Sequence, residues 1–370
     1  MQDLTNYTVG GTVHVIVNNQ IGFTTVPSKG RSATYASDLA KAVGAPIFHV
    51  NADAMEEVHM VFKAAGEYRQ KYKHDVVIDL IGYRKMGHNE LDQPSFTQPL
   101  MYQQVAKMTP VARLYEAELV EGGHLTADEV AAMKEDAISQ LEVAYAKSKT
   151  LTYKAEDWVT QEWAEIMEHD VKDAADTGLD TQRFRDLGSL ITELPKDAEF
   201  HRLVKKIFEA RTKSIQDGKD IDWGTAEALA FGSLIQDGYK VRVSGQDVER
   251  GTFSHRHAHV FYQDRDGSYI PLNNVVPQGA IRSFIASNSH LSEFAVLGYE
   301  LGYAQANPNS LGIWEAQFGD FANGAQVIID QFFCSGEAKW NVKNGLVMLL
   351  PHGFDGNGPE HSSCRMERFL

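Results

Sequence analysis

Thr12-Val13-His14-Val15-Ile16-Val17 is an unbroken apolar run, rich in β-branched residues. Such a run reads as a strand buried on both faces, and strands of that kind belong to parallel sheets clothed by helices. Ile47-Phe48-His49-Val50 and Val76-Val77-Ile78-Asp79-Leu80-Ile81 repeat the pattern. Between them, Ala36 to Val43 can form a short helix and Gly44-Ala45-Pro46 punctuates. Asp53 to Tyr72 places Met55, Val58, Val61, Phe62 and Ala65 at helical spacing. Strand and helix in alternation predict an α/β fold with a parallel sheet.

From residue 97 to 215 the pattern changes. Apolar positions thin out, and Ala-rich, acidic helical stretches take over. Thr126-Ala127-Asp128-Glu129 has the spacing of a capping box opening a helix, and Asp170 to Asp180 reads as a polar loop. A second alternating unit begins with Asp222 as a helix N-cap. Trp223 to Ile235 reads as helix and Lys240 to Ser244 as strand. Gly245 to His259 is a polar, basic loop. Helix follows over Ser292–Ala306, strand over Leu311–Glu315, helix over Gly324–Phe333 and strand over Gly345–Leu350. The expected organisation is two parallel-sheet units, 1–96 and 216–370, joined by a helical connector over 97–215.

Composition narrows the function classes. With 370 residues and 43% hydrophobic content, the chain can bury sizeable cores without staples. A formal charge of −15 argues against general affinity for nucleic acid or an anionic membrane, which both reward positive charge. Cys334 and Cys364 are the only cysteines, which excludes a disulfide framework and points to a reducing compartment. There is no Walker loop, no Gly-x-Ser-x-Gly elbow and no Cys-x-x-Cys motif.

In open α/β sheets, ligands sit beyond the carboxyl ends of the strands. Asn18-Asn19-Gln20-Ile21 follows the first strand. An Asn amide oxygen is a neutral hard ligand suited to magnesium, although paired Asn at a strand end more often serves turn chemistry. Tyr83-Arg84-Lys85-Met86-Gly87-His88 follows the third strand and suits a phosphate-bearing ligand. His255-Arg256-His257 can bind a carboxylate and move protons near neutral pH; a zinc reading lacks a third ligand with supporting spacing. Glu293 sits in a first helical turn, where an acid ordinarily meets the helix dipole. Phe318 and Phe321 can stack on a heteroaromatic ring or simply fill a core. His352 and His361 lie on glycine-rich loops after the last strand.

At these loops the chain resembles the thiamin-diphosphate-dependent decarboxylase component of 2-oxoglutarate dehydrogenases. The matching runs are Gly11 to Thr25, Gly87-His88-Asn89-Glu90, Ser244-Gly245-Gln246-Asp247 with Arg250-Gly251-Thr252-Phe253-Ser254, Trp314 to Phe321, and Leu350-Pro351-His352-Gly353 with Gly358-Pro359-Glu360-His361-Ser362-Ser363. The resemblance covers both α/β units and is weaker from 150 to 215. It implies the thiamin-diphosphate-binding fold, with the carboxyl-terminal part of a diphosphate-binding unit over 1–96 and a transketolase-like pyrimidine-binding unit over 216–370. It implies thiamin diphosphate and magnesium as cofactors.

It also implies roles, residue by residue. Asn19 and the Ile21 carbonyl ligate magnesium. Glu293 exchanges a proton with the aminopyrimidine, and Phe318, Phe321 and Gln317 lie around that ring. His361, His257 and His88 are catalytic, with His257 ahead of His255 in the substrate-side loop. The implied reaction is oxidative decarboxylation of 2-oxoglutarate with succinyl transfer to a lipoyl group. The implied setting is a homodimer working with dihydrolipoyl succinyltransferase and dihydrolipoyl dehydrogenase components, in the mitochondrial matrix or a bacterial cytoplasm. A 2-oxoadipate-specific paralogue and a non-catalytic module of the same fold are the alternatives. The Gly-Asp pair that supplies the family's magnesium carboxylate is not found before Asn19, and the family's last domain is not found after Leu370. The chain is therefore expected to be an internal piece of a longer protein, inactive by itself.

Overall fold

The computed structural model describes residues 4–152, 163, 176–276, 284–354 and 358–370. Two compact units, Met1–Thr152 and Tyr153–Leu370, make up the chain. The helices Pro99–Val105, Val111–Glu121 and Ala127–Ser148 belong to the first, and the helices Thr181–Thr192 and Arg202–Asp217 to the second. Of the polar loop read over 170–180, residues 170–175 lie outside the described residues.

In the first unit β1 (Val13–Asn18), β2 (Ile47–Asn51) and β3 (Val76–Ile81) form a parallel sheet of order β1-β3-β2. Pairing of Asn18 with Ile81, and of Ile81 with Asn51, brings the three carboxyl ends level. The connections are a 3-10 helix at Ala36–Val43 and the helix Met55–Tyr72, as the spacing predicts. Ala65 of that helix packs against Val76 and Ile78 of β3, all fully enclosed. The expectation for β1 needs correction. Only β3 has a neighbour on each side; β1 is an edge strand whose Val15 and Val17 are 43% and 67% exposed. Apolar, β-branched composition does not distinguish a central strand from an edge strand, because the distinction lies in what packs outside it. Further along, Thr126 Oγ1 accepts the Glu129 N–H while Glu129 Oε2 accepts the Thr126 N–H, a complete capping box.

The second unit holds a parallel sheet of order β7-β4-β8-β9, made of β4 (Lys240–Gly245), β7 (Phe284–Asn288), β8 (Ser310–Glu315) and β9 (Val347–Leu349). A small antiparallel pair, β5 (Val260–Phe261) and β6 (Ser268–Tyr269), stands apart. One face of the large sheet packs on the helices Thr181–Thr192 and Trp223–Gln236 through Leu187, Ile191, Leu229 and Ile235. The other packs on the helix Glu293–Ala306 through Val296, Leu297 and Leu301. Asp222 caps Trp223–Gln236, its Oδ1 accepting the Thr225 N–H at 2.7 Å. The predicted helix over 324–333 is instead broken into a 3-10 stretch Gly319–Ala325, an α turn Gln326–Ile328 and a π stretch Ile329–Phe333. Phe284–Asn288 went unread because Phe-Ile-Ala-Ser-Asn is too short and too polar at its end to show strand periodicity.

Arg242 crosses from β4 to the helix Glu293–Ala306. Its Nε donates to both carboxylate oxygens of Glu300 at 2.9 Å, and both side chains are buried. Removing one member of such a pair strands the other charge. Glu300→Ala is therefore expected to lower the unfolding free energy by about 3–5 kcal/mol, read from urea titrations; an unchanged midpoint contradicts this.

Candidate active site

The register of the second sheet aligns Asn288, Gly245, Glu315 and Leu349 at its carboxyl edge. The loops leaving those residues build the site. Gly245 is required there: a Cβ at this position would stand 2.1 Å from the Glu315 carbonyl oxygen. Behind it the chain from Val248 to Ala258 folds around one side chain, Arg256. Its Nε and Nη2 donate to Glu227, its Nη1 and Nη2 to Glu315, and its Nη1 also to the Val248 carbonyl. All five N–H groups of the guanidinium are thus engaged. Burial works against the Arg256 charge, and the bonds to Glu315 and Glu227 outweigh it, so its pKa is raised. The loop backbone is closed by the Arg256 and His257 N–H groups, which both donate to the Arg250 carbonyl.

A cavity of about 510 Å³ opens beside this loop, bordered by Phe253, His255, Glu315, Phe318, His352 and His361. Phe318 packs edge-on against His361, ring centres 4.6 Å apart, and against Phe253 at 5.4 Å; Phe321 reaches His361 at 5.6 Å. Three of the four histidines singled out near this edge therefore share the cavity, His255, His352 and His361. His257 does not: its left-handed backbone (φ 50°) turns the ring inward, where Nε2 lies 3.0 Å from the Ser254 carbonyl oxygen. Burial holds the pKa of both His255 and His257 below the ordinary imidazole value. The zinc reading of the pair fails on the same geometry. Among the described residues, Glu227, His255 and Glu315 are the one trio of metal-ligating side chains whose donor atoms all come within 4.8 Å of one another, and Arg256 already bridges the two acids.

Glu293 is the first residue of its helix and half-buried. Its Oε1 accepts the Gln246 Nε2–H at 2.9 Å. Burial pushes the carboxyl pKa up, the Trp314 indole N–H opposing the rise without closing a hydrogen bond. Gly324 lies against its stem, 3.4 Å from where a Cβ would sit to the Glu293 Cβ. Gln317 donates to Asp247 Oδ2 at 2.6 Å. Arg256 does bind carboxylates, but those of Glu227 and Glu315 within the chain; Gln246, Asp247 and Glu227 carry no separate signal in the sequence, since each is an ordinary polar residue until its partner is known.

In the first unit Asn19 lies just beyond β1, and its Oδ1 accepts the Ile21 N–H at 3.2 Å. Gln20, in the left-handed region at φ 61°, donates from Nε2 to the Gly82 carbonyl and ties this turn to the end of β3. A cavity of about 300 Å³ here is bordered by Asn19, Asp53, Gly82 and Lys85. His88 is exposed, its ring 4.9 Å from that of Phe23.

Residues 1–156 match the family described as the dehydrogenase E1 component, and residues 219–370 the transketolase pyrimidine-binding domain. The mitochondrial 2-oxoglutarate dehydrogenase of Dictyostelium discoideum is 49% identical over 100% of this chain and 37% of its own length. That of Saccharomyces cerevisiae is 48% identical over 99% of the chain and 36% of its own. The 2-oxoglutarate dehydrogenase E1 component of Brucella ovis is 48% identical over 100% and 37%. The chain belongs to the 2-oxoglutarate dehydrogenase E1 family. It spans little more than a third of the length of these relatives. The two parallel sheets are those of a thiamin-diphosphate-binding fold, and both matched domains imply that cofactor.

A depressed histidine pKa means that the unfolded chain binds more protons than the folded one below the ordinary imidazole value. The stability His257 confers is thus present above about pH 6.5 and lost as pH falls through its folded pKa. Urea midpoints are expected to fall between about pH 7 and pH 5, and less steeply in His257→Gln. Equal slopes for the two proteins contradict the assignment.

Proposed function

We propose that this chain carries cofactor-binding and catalytic residues for the oxidative decarboxylation of 2-oxoglutarate, in a protein that passes the succinyl group to a lipoyl arm. Glu293 carries the reading. It is a half-buried carboxyl at the head of a helix, where burial outweighs the dipole and raises its proton affinity. Such a group fits the ring nitrogen of an aminopyrimidine, because acid and base can then share one proton. The Phe318 and Phe321 rings offer the apolar wall a heteroaromatic ring needs. At Asn19 the turn leaves one of the two Oδ1 lone pairs for a magnesium ion, and the Ile21 carbonyl is assigned as a second oxygen ligand. Lys85, which borders the same cavity as Asn19, and His88 are assigned to the diphosphate.

Thiamin diphosphate, when bound, supplies the thiazolium that takes up the electron pair of the breaking carbon–carbon bond. The chain's own part is to bind, orient and manage protons. Glu293 holds a proton at its carboxyl and exchanges it with the ring. Phe318, Phe321 and His361 exclude water, which strengthens that exchange. His361 and His255, bordering the large cavity, serve the substrate's oxygens as donors or acceptors. His257 and Gln317 act indirectly, His257 by meeting the Ser254 carbonyl inside its loop and Gln317 by holding Asp247. The family supports partnership with dihydrolipoyl succinyltransferase and dihydrolipoyl dehydrogenase components, and a homodimer is proposed with it. The mitochondrial matrix, or the cytoplasm if the source is bacterial, is the matching location. Among the described residues no helix is long and apolar enough to cross a membrane.

In the protein that carries this chain, Glu293→Ala is expected to slow thiamin-dependent release of carbon dioxide from 2-oxoglutarate by about 100-fold or more. Unimpaired turnover removes Glu293 from the mechanism, and faster turnover of 2-oxoadipate reassigns the substrate. Calorimetry should show that Asn19→Ala weakens magnesium-dependent binding of thiamin diphosphate. Undiminished binding takes Asn19 out of the metal site.

A further inference from the structure

Gln246 and Asp247 are consecutive, yet their side chains go to different elements. Gln246 Nε2–H donates to Glu293 Oε1, at the helix that follows β7. Asp247 has a left-handed backbone, φ 58°, and accepts from Gln317 in the segment after β8. Gly245, pressed against the Glu315 carbonyl, fixes where both begin. β7 and β8 flank β4, so this one dipeptide is braced from the strand ends on either side of it.

A Glu side chain left to itself samples several rotamers, and its terminal torsion is broad. We propose that Gln246 is the positioning residue of the Glu293 carboxyl: its amide N–H anchors Oε1 and leaves Oε2 for proton exchange. The inference rests on the proposed role of Glu293 for its catalytic consequence, though the contact itself does not. A neutral donor suits that task. Lys or Arg here would hold the carboxyl ionised, and an apolar residue would leave it without a partner for its charged form. The elements packed around Glu293 carry other charged groups, but their partners are elsewhere. Asp247 is turned to Gln317, Glu315 to Arg256, and Glu300 to Arg242. His290 on its own segment, Asp320 of the Gly319–Ala325 stretch and His361 are other titratable groups of these elements, Tyr299 and Tyr303 of its helix lie by Arg242, and Trp314 and Gly324 are neutral.

The test is a carbon-13 NMR titration of Glu-labelled chain without cofactor, with the Glu293 signal assigned by its loss in Glu293→Gln. Gln246→Leu removes the donor and should raise the Glu293 midpoint by about one pH unit. Gln246→Glu keeps the shape and sets two carboxyls to share a proton, so the midpoint should rise at least as far. It also serves if the leucine variant does not fold. An unchanged midpoint in a folded variant overturns the proposal. Because no cofactor is present, this outcome is independent of whether Glu293→Ala loses turnover. Activity lost in Glu293→Ala with no midpoint shift keeps the function and sinks the brace; the reverse result keeps the brace and sinks the function.

Discussion

The active-site loop of the second unit depends on the buried guanidinium of Arg256. Arg256 joins Glu227 on the helix Trp223–Gln236, Glu315 at the end of β8 and the Val248 carbonyl in the loop after β4. Two carboxyl groups set against one planar fork satisfy all five donors, so desolvation is matched by bonds of near-ideal shape. Lysine, with three rotating donors on a point charge, has no comparable fit. Arg211 adds to the same knot, its Nη2 donating to the His255 and Arg256 carbonyls. A long polar loop that would otherwise sample many shapes is thereby held rigid at the sheet's carboxyl edge.

That rigidity decides which side chains reach the cavity. Gly251 leaves room for the His255 imidazole, which a Cβ at 251 would approach to 2.5 Å. His255 therefore borders the cavity with Phe253, whereas His257, two residues on, is turned into the interior. Burial lowers the proton affinity of both histidines and raises that of Glu293, which places the neutral form of each within easier reach at neutral pH. A site that must exchange protons with a ring and exclude water is better served by groups poised in this way than by fully solvated ones.

Much of this was legible in the chain. The strands β3, β4 and β8, the helices Met55–Tyr72 and Trp223–Gln236, the Thr126 capping box and the Asp222 cap all follow from local pattern and agree with the structure within a residue or two. What was lost needed distant partners. The β1 run looks central by composition yet is an edge. Phe284–Asn288 is a strand only because β4 pairs with it. Glu315 was read as the end of a strand, although its carboxylate grips an arginine 59 residues away.

Residue identity and spacing alone determined the α/β class, the strand-end loops and the residue types fit for a phosphorylated, ring-containing ligand. Those properties are local, set by side-chain branching, apolar period and backbone freedom. Tertiary structure alone decided which histidines border the cavity, which two acids are bridged by Arg256 and which acid stands half-buried with one neutral donor. Those outcomes turn on burial and on hydrogen bonds between residues 29 to 59 positions apart, as between Arg256 and Glu227, Gln246 and Glu293, and Arg256 and Glu315. Desolvation and charge pairing act through space, so no window along the chain contains them.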